Sequence, residues 1–428
     1  MMKRKFCFYL YISIVMTFFS CNSANEVSDP EAPANTSAVL PIMYVNTENG
    51  APVLSKDEYV VGTLSVVGGM QDSSSSSSSS IQDQPMKIKG RGNSTWQYPK
   101  KPYKIKFDSK IPMFGEAPDK EWVLLANYLD KSLLRNDIAF YMGGISNLEY
   151  TSCSHFVQLY LNGEYCGLYQ LSEQLKIAKS RVNVGDDGFL LEIDAKAESE
   201  DITFNVPHIE MPINIKEPDV EVGDASYNYI TEYLRQVDEV LFSENFTDSA
   251  NGYTRFLDVE SFVDWYLINE ITKNADAIFY TSCYMHLARN RKLKMGPLWD
   301  FDLAFGGYHF DDPAADICNN PEGFWIKNVK WYSRLFQDPY FVQRVKDRFE
   351  FLYSNRDKVY SRLYSRHKYL KEFICDENSK WHQLCDDNKS SQHVKSLYVH
   401  EAELIENWLE QRFQWLRGQF SSLSQIAH

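Results

Sequence analysis

Residues 276–300 read DAIFYTSCYMHLARNRKLKMGPLWD, a stretch that reads as one β-hairpin with an aspartate at each end. Its first arm, 277–287, is rich in aromatic and β-branched side chains, which suit a pleated, half-buried surface. The second arm, 292–299, follows the turn-like Ala288-Arg-Asn-Arg291, and Ala288 is the midpoint between the aspartates. Paired in that register, Asp276 opens the first strand and Asp300 closes the second, about 5 Å apart between Cα atoms. Two carboxylates that close repel unless a cation lies between them, and Mg2+ is held by one or two carboxylates plus substrate phosphates. The following run, PLWDFDLAFGG at 297–307, sets Asp300 and Asp302 among bulky apolar residues, where an unpaired charge is costly. The spacing predicts a metal site suited to phosphoryl transfer; the competing reading is two surface aspartates beside an ordinary hairpin.

Upstream, residues 258–273 form a predicted helix that is apolar around most of its circumference, hence central, and it delivers Asn274 and Asp276. Strands are expected at 41–46, 59–67, 155–161 and 167–171, the last two around the hairpin signal Asn162-Gly163, and a buried strand at 188–194 carries Glu192. Helical character is expected at 131–142 and dominates beyond about residue 330, with Asp338-Pro339 as a helix start and 399–418 as a long amphipathic helix.

Two further strands flank Gly90-Arg-Gly92-Asn93-Ser94. That loop offers backbone N–H groups and Arg91 to an anion. In the second strand Tyr103, Ile105 and Phe107 take one face and Lys104 and Lys106 the other. The lysines either meet phosphates or form a solvated face.

With 428 residues, 44% of them apolar, the chain has material for a large core. A net charge of −14 argues against binding nucleic acid or anionic lipid through charge. Residues 1–20 combine basic Lys3-Arg4-Lys5, an apolar stretch and Ser20 before Cys21, as a secretory signal does. Cys21 is expected to be lipidated, as in a loose lipobox, with residues 21–38 as a flexible tether holding the protein to the cell envelope; a plain cleaved signal is the alternative. Six cysteines then remain, and Cys375 and Cys385 are close enough in sequence for a local bridge. The run Ser73–Ser80 reads as a solvated loop within an N-terminal β extension, 39–84.

Taken in order, Lys89-Gly-Arg-Gly-Asn-Ser-Thr-Trp96 with Lys100-Lys-Pro-Tyr-Lys-Ile-Lys-Phe107, Trp122-Val-Leu-Leu with Leu134-Arg-Asn136, Leu161-Asn-Gly-Glu-Tyr-Cys-Gly-Leu-Tyr169 with Glu173, Asn274-x-Asp276 and Trp299-Asp-Phe-Asp-Leu-Ala-Phe-Gly306 resemble the spore-coat protein H (CotH) kinase family. The resemblance implies an α+β, atypical protein-kinase-like two-lobed domain over 85–428, its N-terminal part a mixed or antiparallel sheet and its C-terminal part helical. It further implies ATP and Mg2+ as cofactors and Ser/Thr of a protein as substrate. By the same resemblance Asp276 is the catalytic aspartate, Asp300 the metal ligand, and Asp302 a second ligand or a support of the loop. Lys104 or Lys106 would contact the phosphates, with Glu173 or Glu192 as acidic partner, and Arg91, Asn93 and Ser94 would lie over the nucleotide. The sequence departs from the family where an asparagine commonly follows the catalytic aspartate by five or six residues: here stand Thr281 and Ser282. Two other readings compete: a non-catalytic envelope lipoprotein that binds a ligand such as a glycan, and a hydrolase using an aspartate pair.

Overall fold

The computed structural model describes residues 40–68 and 81–423; the expected signal, Cys21, the tether and the serine run lie outside the described residues. Strands β1 (Ile42–Thr47), β2 (Val60–Val67), β3 (Ile81–Gly90), β4 (Tyr103–Ile111) and β5 (Asp119–Leu125) precede helix α1 (Arg135–Gly144), and β6 (His155–Leu161) and β7 (Glu164–Glu173) follow it. These seven strands close into a barrel in the order β1-β2-β3-β4-β5-β7-β6. Closure comes from parallel pairing of β1 with β6, in which Tyr44 faces Tyr160. A closed barrel leaves no unpaired edge, and one face of each strand fills the interior. Here Met43, Val45, Leu64, Ile88, Ile105 and Trp122 fill it, all completely buried. Strands ahead of residue 85, expected as an extension, are staves of this barrel, and residue 85 itself lies within β3. Asn162 and Gly163 both take positive φ (52° and 82°), as the tight β6–β7 turn requires.

A second, antiparallel sheet has the order β12-β11-β8-β10-β9. It comprises β8 (Phe189–Ile193), β9 (Thr203–Phe204), β10 (Ile213–Glu217), β11 (Cys283–Leu287) and β12 (Lys294–Met295). Central β8 is buried along its whole length. Helices α2 (Ala225–Leu241) and α3 (Val259–Thr272) interrupt this sheet, and α4 (Ala315–Cys318), α5 (Lys330–Leu335), α6 (Pro339–Ser354), α7 (Arg356–Leu370), α8 (Ile374–Trp381) and α9 (Ser391–Ser422) follow.

Helix α3 is buried from Ser261 to Thr272 on every side, as its continuous apolar character predicts. Its N-terminus is capped by Asp258, whose carboxylate accepts the Ser261 N–H at 3.0 Å, and Lys273 ends it in a left-handed conformation (φ 48°). Helix α6 begins as expected, with the Asp338 carboxylate accepting the Tyr340 N–H and Pro339 in the first turn. The fold is therefore a mixed α+β one, with strands first and helices last. All six cysteines among the described residues are free. The expected Cys375–Cys385 bridge is not formed, because the Cys375 thiol faces the Ser391 carbonyl while the backbone of Cys385 is held by Asn378.

Candidate active site

A cleft of 250 Å³ runs between the loop after β3, the segment after β5 and the open face of the second sheet. Two glycines shape the loop. A side chain at Gly90 would collide with the Trp96 ring at 2.4 Å, and Gly92 has φ +82°, so the chain can turn Arg91, Asn93 and Ser94 toward the cleft. Arg91 lies against the Trp299 ring, 5.3 Å from its centroid. Burial lowers its pKa, opposed by the fields of Tyr284, Asp300, Asp302 and Glu192. It is the cation that faces the cleft's acids from the barrel side.

Asp300 and Asp302 line the opposite wall. Asp300 holds a left-handed backbone (φ 64°), rare for a residue with a side chain and commonest where function fixes the geometry. Its Oδ2 accepts the Ser282 hydroxyl at 3.2 Å. Asp302 is buried, and Asn136 at the start of α1 clamps the pair of acids. The Asn136 amide donates to Asp302 Oδ1 at 3.0 Å, and its carbonyl accepts the Phe301 N–H at 2.8 Å. Burial, then the Asp300 charge, pushes the Asp302 carboxyl well above the usual carboxylate range. The side chains that donate to the two acids, Asn136 and Ser282, are both neutral.

The 276–300 segment is a hairpin only in part. Met285 pairs with Met295 and His286 with Lys294, which centres it on Asn290 rather than Ala288. The first arm begins at Cys283, because Ala275–Ala277 is a single 3-10 turn and Phe279 and Ser282 both take positive φ. Phe279 is fully buried among Trp265, Trp331 and Tyr332, and this packing overrides the strand propensity of 277–282. Asp276 nevertheless lies near enough to Asp300 to feel its charge. Burial and the Asp300 charge push Asp276 up to about 6, opposed by Lys196. Asp276 stands beside the cleft and is not among the residues lining it.

Lys104, Lys106 and Glu173 are not brought to the cleft. Tyr103, Ile105 and Phe107 point into the barrel, so alternation turns both lysines outward, where they share Glu121 at 3.0 and 3.9 Å. Glu173 pairs instead with Arg181 and accepts the Tyr150 hydroxyl at 2.7 Å. The lysine that does reach Glu192 is Lys216, at 3.5 Å, and both line the cleft. A bulge between Ile215 and Glu217 on β10 accommodates it. Burial pushes Glu192 up to about 7, with Lys216 opposing and Asp194 adding to the rise. Lys216, Lys196, Asp194 and Tyr284 were not read from the sequence as site residues. The signal for Lys216 was there: in INIKE at 213–217, Asn214 and Lys216 alternate against Ile213 and Ile215, and buried Glu192 needs a cation.

Thr281 and Ser282 occupy the positions of the family's asparagine, and both line the cleft. The Thr281 hydroxyl donates to Asp194 at 2.8 Å, while Ser282 serves Asp300.

The cleft thus sets Asp300 and Asp302, beyond β12, opposite a glycine-bounded arginine loop and beside a lysine–glutamate pair of the second sheet, in a protein of mixed α+β fold. The family model described as CotH kinase protein matches residues 88–416, from within β3 into α9, and the chain belongs to that family. No curated protein matches it.

Proposed function

We propose that the cleft binds ATP with Mg2+ and transfers the terminal phosphoryl group to a serine or threonine hydroxyl of a protein substrate, in an atypical kinase-like, two-lobed arrangement of barrel and helical sheet. The observation that carries this reading is the convergence of Asp300 and Asp302 opposite Arg91, with Asp276 near enough to feel the Asp300 charge.

The residues present fit such a ligand. Asp300 and Asp302 would hold the metal, for they are adjacent oxygen donors whose mutual repulsion a hard cation relieves. Arg91, the N–H groups of Gly92 to Ser94 and Lys216 would hold the phosphates. When bound, Mg2+ neutralises charge developing on the phosphoryl oxygens. Asn136 fixes Asp302 and the Phe301 backbone, so the acids are positioned before any ligand arrives. Ionised above about pH 6, Asp276 orients the attacking hydroxyl and receives its proton as the new oxygen–phosphorus bond forms and the bond to the departing diphosphate breaks. Ser282 replaces an amide with a hydroxyl already committed to Asp300, which favours slow transfer over rapid turnover.

In this reading the protein is lipid-anchored through Cys21 in the cell envelope, and its acidic charge leaves no role for nucleic acid. The glycan-binding alternative asks for exposed tryptophans at the cleft mouth. Trp299 is the only tryptophan lining the cleft among the described residues, and it lies covered by Arg91 and stacked on Phe140. A hydrolytic aspartate pair gives no task to Arg91 or Lys216.

The test is thermal unfolding of the purified protein with ATP, Mg2+, both or neither, beside Asp300→Ala. A rise in midpoint that needs both ligands and vanishes in the variant supports the reading, since a ligand of the native state alone must stabilise it. No rise at millimolar ligand overturns it.

A further inference from the structure

At the opposite reach of the barrel, the turn between β4 and β5 meets the start of β6, and three unlike donors converge there. They are Glu116, Cys153 and His155, whose ligand atoms all lie within 4.8 Å of one another. None of them lines the cleft. We propose that these three side chains form a second metal site, for a borderline-soft divalent cation of the zinc class, distinct in place and chemistry from the cleft.

Donor chemistry sets the class. A thiolate, an imidazole and a carboxylate are the ligand types of zinc sites, whereas Mg2+ takes oxygen donors. The three residues are also held in place. The Cys153 backbone is pinned on both sides by β7, its N–H donating to Glu173 Oε2 at 3.1 Å and its carbonyl accepting the Ser172 hydroxyl at 2.7 Å. His155 opens β6, and the Phe114 ring stacks on its imidazole at 5.3 Å. Phe114 and Gly115 both adopt positive φ, which turns Glu116 back toward His155, Nε2 to Oε1 2.8 Å. The Cys153 thiol, by contrast, is met by its own backbone N–H.

A coordinated divalent ion deprotonates the thiol and neutralises Glu116 together. Three protein donors leave one tetrahedral position for water. Away from the cleft described above, the ion would act as a clip between the β4–β5 turn and β6. Glu173, expected at the nucleotide, would serve this site by holding the Cys153 backbone.

The experiment is titration of the metal-free, purified protein with Co2+ and with Zn2+, followed by electronic absorption and calorimetry. With excess Mg2+ present to occupy the cleft, one equivalent should bind, Co2+ should give a thiolate-to-metal charge-transfer band, and Zn2+ should displace it while Mg2+ does not. Cys153→Ser should abolish the band, and His155→Gln and Glu116→Gln should weaken Zn2+ binding at least about tenfold, the loss that even outer-shell changes cause. Asp300→Ala should leave the thiolate-to-metal band unchanged, which separates this site from the cleft. Absence of the band in the unmodified protein, or its persistence in Cys153→Ser, overturns the proposal. If Cys153→Ser does not fold, His155→Gln decides: unaltered Zn2+ affinity in that half-exposed variant overturns it equally.

Discussion

Two groups of buried charge in this molecule are built on opposite terms. In the helical part, Glu270 and Arg412 have side chains with no exposure at all, and their charges are met in full. The Glu270 carboxylate takes the Arg412 guanidinium and the N–H groups of Trp325, Ile326 and Lys327, while Arg412 also donates to the carbonyls of Pro321 and Gly323 at 2.7 Å. In the cleft, Ser282 and Asn136, both neutral, donate to Asp300 and Asp302, and the facing cation, Arg91, is laid on Trp299. The Glu270–Arg412 pair is thus satisfied within the chain, whereas the cleft's carboxylates lie close together with neutral donors and one facing arginine. Under the proposed function, that difference separates structural charge from charge kept for a ligand.

The sharpest way to break the comparison is to remove one partner from each group. Arg412→Met strands the Glu270 charge in the core, and urea unfolding should show a loss of about 3–5 kcal/mol, as for other broken buried pairs. A loss below about 1 kcal/mol would mean that the pair is not the internally closed unit described. Asp300→Ala removes a charge that repels Asp302 and Asp276 and that has no hydrogen-bonded cation among the described residues, so the ligand-free protein should lose little or gain slightly in the same experiment. What it should lose is the stabilisation by Mg2+ and ATP, about 2.7 kcal/mol at ligand one hundred times its dissociation constant. If Asp300→Ala instead weakens the ligand-free fold as Arg412→Met does, the two groups are of one kind.

The same contrast marks what could be read in advance. Elements specified locally were legible: the apolar circumference of 258–273 gave α3, Asn162-Gly163 gave the β6–β7 turn, and Asp338-Pro339 gave the start of α6. The acids of the cleft were legible too, because a carboxylate inside PLWDFDLAFGG violates the local pattern. Features set by distant contacts were not. Closure of the barrel depends on β1 meeting β6 more than a hundred residues away, which no local pattern encodes. Residues 277–282 have strand composition, yet the aromatic pocket that swallows Phe279 bends them into a turn. Lys104 and Lys106 drew attention as an alternating pair, but alternation fixes only that they share a face, and their face leads to Glu121.

A smaller effect sharpens the lysine assignment. Lys216 is half exposed and pairs with Glu192 across the cleft wall, whereas Lys104 is paired outside it. Lys216→Ala should weaken ATP binding about tenfold, equal to roughly 1.4 kcal/mol, measured by calorimetry with Mg2+ present. Lys104→Ala should change it less than twofold. The reverse order would return the phosphate contact to β4 and remove the case for Lys216.

The smallest effect isolates the unmet charge itself. Asp276 is pushed from an ordinary 3.8 up to about 6 by burial and by Asp300. Between those values the folded protein holds a proton that the unfolded chain has released, so this residue makes stability fall as pH rises from about 4 to 6, with no further change above. Asp276→Asn has no such proton, and its stability measured by urea unfolding should decline less steeply over that window than that of the unmodified protein. Asp300→Ala should flatten it in part, since it removes the second cause of the shift while burial remains. Identical slopes in all three proteins would show that Asp276 titrates as an ordinary surface acid, and the cleft's carboxylates would then need no cation to sit together.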